Sequence, residues 1–143
     1  MTDSNADEAT ILALMDSWAA ALRAKDAGGV TACQADDMVL YSLAPPLVGK
    51  SCARWLQAWF GTWDGPIGYA FADLTVAASG EVGFVHGLSH MSGRKTDGEI
   101  VDLWFRVTLG LRKRDGAWTV VHEHESVPFL MDGSFKAAVD LKP

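Results

Sequence analysis

The sequence predicts an α+β fold in which N-terminal helices pack on one face of an antiparallel sheet. Three observations predict it. Residues 6–24 carry apolar side chains at three- and four-residue steps, the helical period. From residue 67 onward the pattern becomes four strand-like runs separated by short turns. The length of 143 residues, with nearly half of them apolar and six tryptophans, suits one domain with a substantial core, spanning 1–143 with 128–143 as a C-terminal tail.

In the first helix Ile11, Leu14, Met15, Trp18, Ala21 and Leu22 form one apolar stripe. Ser4 or Asn5 is placed to cap its start, Asp7 and Glu8 suit the positive end of the helix dipole, and Gly28-Gly29 ends it. A short second helix is expected over 29–34 and a strand over 38–42, "MVLYS", stopped by Pro45-Pro46. "SCARWLQAWFGTW" returns to helical spacing, with Trp55, Leu56, Trp59, Phe60 and Trp63 on one face and Gly65-Pro66 as the stop. "YAFADLTVA", "VGFVHGLSHM", "IVDLWFRVTLGL" and "WTVVHEHESV" then read as a four-stranded meander, and the tail "PFLMDGSFKAAVDLKP" is expected to dock on the body or on a partner.

Composition excludes several functions. A net charge of −6, with Arg112-Lys113-Arg114 as the basic cluster, opposes a nucleic-acid partner, because phosphate binding needs clustered cations. The acidic N-terminus has no apolar signal segment and no apolar run approaches ~20 residues, so a cytoplasmic protein with no membrane partner is expected. Cys33 and Cys52 fit no zinc or redox spacing and read as reduced thiols. No nucleotide-binding glycine motif and no nucleophile elbow is present, so no cofactor is expected.

"LAPPLVGK" at 43–50, "WFGTWDGPI" at 59–67 and "DGEIVDLWFRVTLGLRKRDGAWTVVHEHESVPF" at 97–129 carry a resemblance. With the first helix they resemble the nuclear-transport-factor-2-like superfamily, and within it SnoaL-like, ketosteroid-isomerase-related bacterial proteins. The final segment is also similar to the association domain of calcium/calmodulin-dependent kinase. The resemblance implies a cone: a strongly curved antiparallel sheet wrapped around helices, with a pocket on the concave side, in proteins that are commonly dimers through the sheet. Because the superfamily holds isomerases, cyclases, dehydratases and non-catalytic assembly domains, fold does not choose the function. The isomerase positions fall on Ser42 for the base, on Trp18 for the helix tyrosine and near Thr108 for the sheet aspartate. All three residues are replaced, and a serine cannot take a carbon-bound proton at neutral pH without its own activating base.

The segment "VVHEHESVPF" at 120–129 alternates imidazoles with carboxylates, so its register decides which of them meets a ligand. A two-residue turn at Asp115-Gly116 sets Leu109 opposite His122, on the apolar side. A three-residue loop through Arg114 sets His122 opposite Thr108 and His124 opposite Arg106. The second is preferred because it places polar beside polar and lays Trp118 along the Arg112 stem. It gathers Asp102, Arg106, Thr108, His122, His124 and Ser126 on one face. Whether that face looks into the cone or toward a dimer mate is left open. Glutamates on the apolar side would need a wet pocket or a cationic partner.

A strand-borne His-x-His pair could hold a metal with His86, His90 or Asp102, but no motif fixes a third ligand and no metal is expected. The expectation is a cofactor-independent isomerase, cyclase or dehydratase acting by proton transfer on a small apolar or aromatic molecule. His124 and Glu125 would move protons, and Arg106 with Asp102 would orient the substrate. Tyr41, Trp18, Trp59 and His122 would touch the ligand. The rival expectation is a non-catalytic ligand-binding or oligomerisation module, and in either case a homodimer through the sheet.

Overall fold

The computed structural model describes residues 4–143. Helix α1 (Ser4–Arg23) buries Ile11, Met15, Trp18 and Leu22 on one stripe, as the spacing predicts. Ser4 and Asn5 lie within the helix rather than capping it. The helix stops before the glycine pair. Lys25 takes a left-handed φ of 54°, and the amides of Lys25 and Asp26 bond back to Leu22 and Ala21, closing the helix end. Asp26 then caps α2 (Ala27–Thr31) through Gly29 N–H. Gly28 and Gly29 therefore sit inside α2. A side chain at Gly29 would strike Ala21 Cβ at 2.9 Å and Asp26, so the glycine lets α2 lie against α1.

Strand β1 (Gln34–Tyr41) is followed by a loop that returns to its free edge, where Leu40 and Gly49 exchange two backbone hydrogen bonds. Helix α3 (Ala53–Phe60) ends at Gly61. Trp63 is thus not on the helical face expected of it. It opens β2 (Trp63–Ser79), and Gly65 and Pro66 lie in an irregular start of that strand.

Strands β3 (Val82–Lys95), β4 (Ile100–Arg114) and β5 (Ala117–Ser126) complete the meander. The sheet has five strands in the order β1-β5-β4-β3-β2, β1 joining parallel to β5 and the others antiparallel. Register shifts in β2 and β5 bend the strands, which is how a sheet curves around helices. On β4 the odd residues Phe105, Val107, Leu109 and Leu111 are buried against the helices, while Asp102, Arg106, Thr108 and Arg112 are exposed on the outer side.

The β4–β5 register corrects the expected one. Asp115 and Gly116 both have positive φ, 51° and 79°, forming a two-residue turn that pairs Leu111 with Val120. The register then slips between Leu111 and Gly110, so that His122 pairs with Gly110, His124 with Thr108 and Ser126 with Arg106. Val121 is the extra residue of this bulge. Alternation breaks there: Trp118 and Val120 point inward, and beyond the bulge so does Glu123.

Trp118 does not lie along Arg112. Its Nε1–H donates to Asp7 Oδ1 at 3.0 Å, and Lys113 Nζ reaches the same oxygen at 3.1 Å. Arg114 grips Asp37 with two bonds of 2.9 and 3.2 Å. Two of the three residues in the basic cluster are thereby paired within the fold. The tail folds back through a bridge between Phe129 and Ala137, and Lys142 Nζ reaches Asp102 at 3.0 Å on the outer face. Among the described residues no helix is long and apolar enough to cross a membrane.

Candidate functional site

Between the helices and the concave side of the sheet lies a cavity of about 230 Å³. Each layer contributes to it by the face its residues present. α1 supplies Trp18 and Leu22 from its buried stripe, and α3 supplies Trp55, Leu56 and Trp59. β1 and the loop after it supply Leu40, Ser42, Leu43 and Ala44. From the sheet come Tyr69 of β2, Met91 of β3, Phe105 of β4, and Glu123 and Glu125 of β5. The wall is largely aromatic: Trp55 and Trp59 stack with ring centroids 6.3 Å apart, and Tyr69 meets Phe105 edge-on at 6.4 Å.

Glu123, Glu125 and Tyr69 are the ionisable groups of its lining. Glu123 is only 5% exposed. Burial, and then the hydrogen bond and negative charge of Glu125, push its carboxyl well above the usual carboxylate range. Glu123 therefore holds its proton more tightly than an exposed glutamate does, with the Glu125 carboxyl beside it. Burial also pushes the Tyr69 phenol well above its ordinary value, with Glu125 adding to the shift, so it stays a neutral donor, 3.4 Å from Ser89 Oγ. Two neighbouring carboxyls and a phenol in such a cavity are groups that can give, take and hold a proton on a bound molecule.

The residues expected at the site divide between the two sides of the sheet. Glu125, Trp18 and Trp59 line the cavity. The others do not. His124 pairs with Thr108 on the outer face and is exposed. His122 Nδ1 lies 2.8 Å from the Val39 carbonyl, and Tyr41 meets both imidazoles edge-on with centroids at 4.7 and 5.3 Å. Arg106 donates to Ser126 at 3.0 Å, whereas Asp102 pairs with His90 at 2.5 Å and with Lys142. Arg106 and Asp102 are consequently not a pair, and His124 lies outside the inner cavity, but Tyr41, His124 and Glu125 together line a second, more open groove that shares Ser42, Leu43, Ala44 and Glu125 with it. The bulge is the physical reason: it sends the glutamates inward and the imidazoles outward.

Of the isomerase positions, Ser42 and Trp18 do line the cavity and Thr108 faces out. Among the described residues no group of three or more His, Cys, Asp or Glu is placed to hold a metal ion. Both cysteines are free thiols, Cys33 buried and Cys52 exposed at the start of α3.

Sequence reasoning passed over Glu123 and Tyr69. Glu123 was discoverable as a carboxylate flanked by β-branched and aromatic neighbours on a strand whose partner, β4, buries every odd residue from 105 to 111. Tyr69 carries no such signal, since a tyrosine on a strand is ordinary core material.

Comparison with known proteins agrees with this architecture. Residues 11–130 match the family model described as SnoaL-like domain. An NTF2-like protein of unknown function from Pseudomonas putida KT2440 is 34% identical, with a TM-score of 0.88 over 99% of this chain and 100% of that one. A protein provisionally designated a scytalone dehydratase, from Novosphingobium aromaticivorans DSM 12444, is 17% identical with a TM-score of 0.79 over 100% of this chain and 99% of that one. The association domain of C. elegans CaMKII is 17% identical with a TM-score of 0.66 over 86% and 97% of the two chains. The last two are likenesses of fold alone. No curated protein matches the chain. On the family match and the closeness to the Pseudomonas structure, the chain belongs to the SnoaL-like domain family of NTF2-like proteins.

Proposed function

We propose that this SnoaL-like domain binds a small apolar or aromatic molecule in the cavity and moves a proton on it without a cofactor, as an isomerase, cyclase or dehydratase does. The observation that carries the reading is two neighbouring carboxyls, the buried Glu123 and Glu125, in the wall of a cavity that Trp18, Trp59, Tyr69 and Phe105 also line. Dehydration uses both members. Glu125 takes a proton from carbon, the carbon–oxygen bond breaks, and the Glu123 proton leaves with the hydroxyl as water. The pair again holds one proton, now on Glu125, and its return to Glu123 resets the site. Tyr69 is the neutral donor for charge developing on a carbonyl oxygen. The provisional designation of the Novosphingobium relative as a dehydratase supports this direction.

A test that needs no known substrate is proton exchange. Aryl methyl ketones in D2O should gain deuterium at the α-carbon in the presence of the protein. Glu125→Gln should lower that rate by ~100-fold or more, the scale of a positioned base, while His124→Ala leaves it unchanged. Exchange that survives Glu125→Gln, or that disappears with His124→Ala, contradicts the assignment.

The outer sheet face favours a second role, self-association. Val82 and Phe84 are about half exposed there, and Phe84 stacks on His86 with ring centroids 6.2 Å apart. A homodimer through this face would cover them. Sedimentation of the wild type as a dimer and of Phe84→Glu as a monomer would support it, and a monomeric wild type would refute it.

A further inference from the structure

We infer that the molecule taken by the cavity carries a positively charged amine: an organic ammonium with an aromatic or apolar body. This rests on the proposed small-molecule site and names its substrate class. Three features point to it.

The first is charge. Among the described residues that line the cavity, two carry carboxyl groups and none is Lys, Arg or His. The protein does bring cations toward the wall, but from outside. Arg23 donates to the Tyr69 main-chain oxygen at 2.8 Å, and Lys95 Nζ is held by Thr62 Oγ1 at 2.9 Å. Neither lines the cavity. The carboxyls of Glu123 and Glu125 therefore face no cationic side chain in that lining. A cationic ligand supplies the missing partner.

The second is the wall. Trp18, Trp55, Trp59, Tyr69 and Phe105 line the same cavity as the two carboxyls. Indole faces attract ammonium groups, and more strongly when water is excluded. The fold already makes such a contact, since the Lys95 ammonium stands 3.9 Å from the Trp63 ring centroid. An aromatic wall that includes a carboxylate matches a cation with an apolar body. A neutral hydrocarbon would leave the carboxylate unpartnered, and an anion would be repelled.

The third is size. At about 230 Å³ the space falls below the ~300–1,000 Å³ of sites for drug-sized ligands, and so fits a one-ring amine.

The test compares three soluble ligands of one shape: benzylammonium, benzyl alcohol and benzoate, titrated calorimetrically at neutral pH. Benzylammonium should bind about tenfold or more tightly than benzyl alcohol, a gap set by ion pairing and the cation–π contact, and benzoate should not bind saturably. Glu125→Gln should bring the amine down to the affinity of the alcohol while leaving the alcohol's unchanged. Trp59→Leu, which keeps the carboxylate, should narrow the gap. Benzyl alcohol binding as tightly as the amine, benzoate binding best, or a gap that persists in Glu125→Gln would each overturn the inference. Those results leave the proton-transfer reading standing, because they still place a ligand in the cavity. Failure of all three ligands to bind would sink both.

Discussion

Strand β5 sends the two halves of "HEHES" into different worlds. Its glutamates line the inner cavity, where burial and the neighbouring Glu125 carboxyl push Glu123 well above the usual carboxylate range. Its histidines emerge on the outer face, among Tyr41, Thr108 and the backbone of β1. Neighbours one residue apart thus differ in solvent, partners and chemistry. The reason is a single extra residue, Val121, which resets the alternation after Trp118 and Val120 have already turned inward. Residue type alone favours the imidazoles as the proton-transfer groups, since their ordinary pKa is near neutral. Position reverses that preference, because a carboxyl in a low-dielectric cavity becomes the better-tuned acid.

Changes on the inner side should outweigh those on the outer. Leu109 is fully buried on β4 between the helices and the sheet. Leu109→Ala should cost about 2–5 kcal/mol of stability in urea unfolding, the cost of a cavity in a packed core. Next is Asp7, which ties α1 to the β4–β5 hairpin through Trp118 and Lys113. Those hydrogen bonds hold its carboxyl below the ordinary aspartate range. Its contribution is therefore complete above that ordinary value and is lost as pH falls through the depressed one. Asp7→Asn should lower the Tm by several degrees at neutral pH and flatten the acid side of the Tm–pH curve.

Glu123 has the opposite sign. Its folded pKa lies above the unfolded one, so the native state holds the extra proton between the two, and stability declines as pH rises through that window. Glu123→Gln should leave the Tm near pH 4 almost unchanged and raise it by a few degrees on the alkaline side. An identical alkaline decline in the variant would remove the carboxyl pair from the account. The smallest effect belongs to the outer face: His124→Ala should change unfolding stability by no more than ~0.5 kcal/mol, as exposed positions do.

Much of the architecture can be read in the chain. The stripe from Ile11 to Leu22 predicts α1, and the alternation from Val101 to Leu111 predicts both β4 and the face it buries. The parallel pairing of β1 with β5 is not readable in this way, because it joins segments some eighty residues apart and no local pattern encodes it. Trp63 continues the helical spacing of Trp55 and Trp59, yet Gly61 ends α3 before it; the glycine was the better signal. At the site, Trp18, Trp59 and Glu125 follow from the apolar stripes and the strand's odd positions. Arg106 and Asp102 lie outside by the even positions of β4, and His122 and His124 share that face as expected, but they reach it through a two-residue turn and the Val121 bulge rather than a three-residue loop. A one-residue slip in a strand reverses every side chain beyond it, and the composition of "WTVVHEHES" is the same either way.

The most direct test of the raised Glu123 carboxyl is a carbon-13 titration of the glutamate side chains, of which the chain has five. One carboxyl should remain protonated well above the ordinary glutamate value of ~4.3, and that signal should vanish in Glu123→Gln. Five carboxyls all titrating in the ordinary range would contradict the account, because Glu123 would then be ionised and in contact with water.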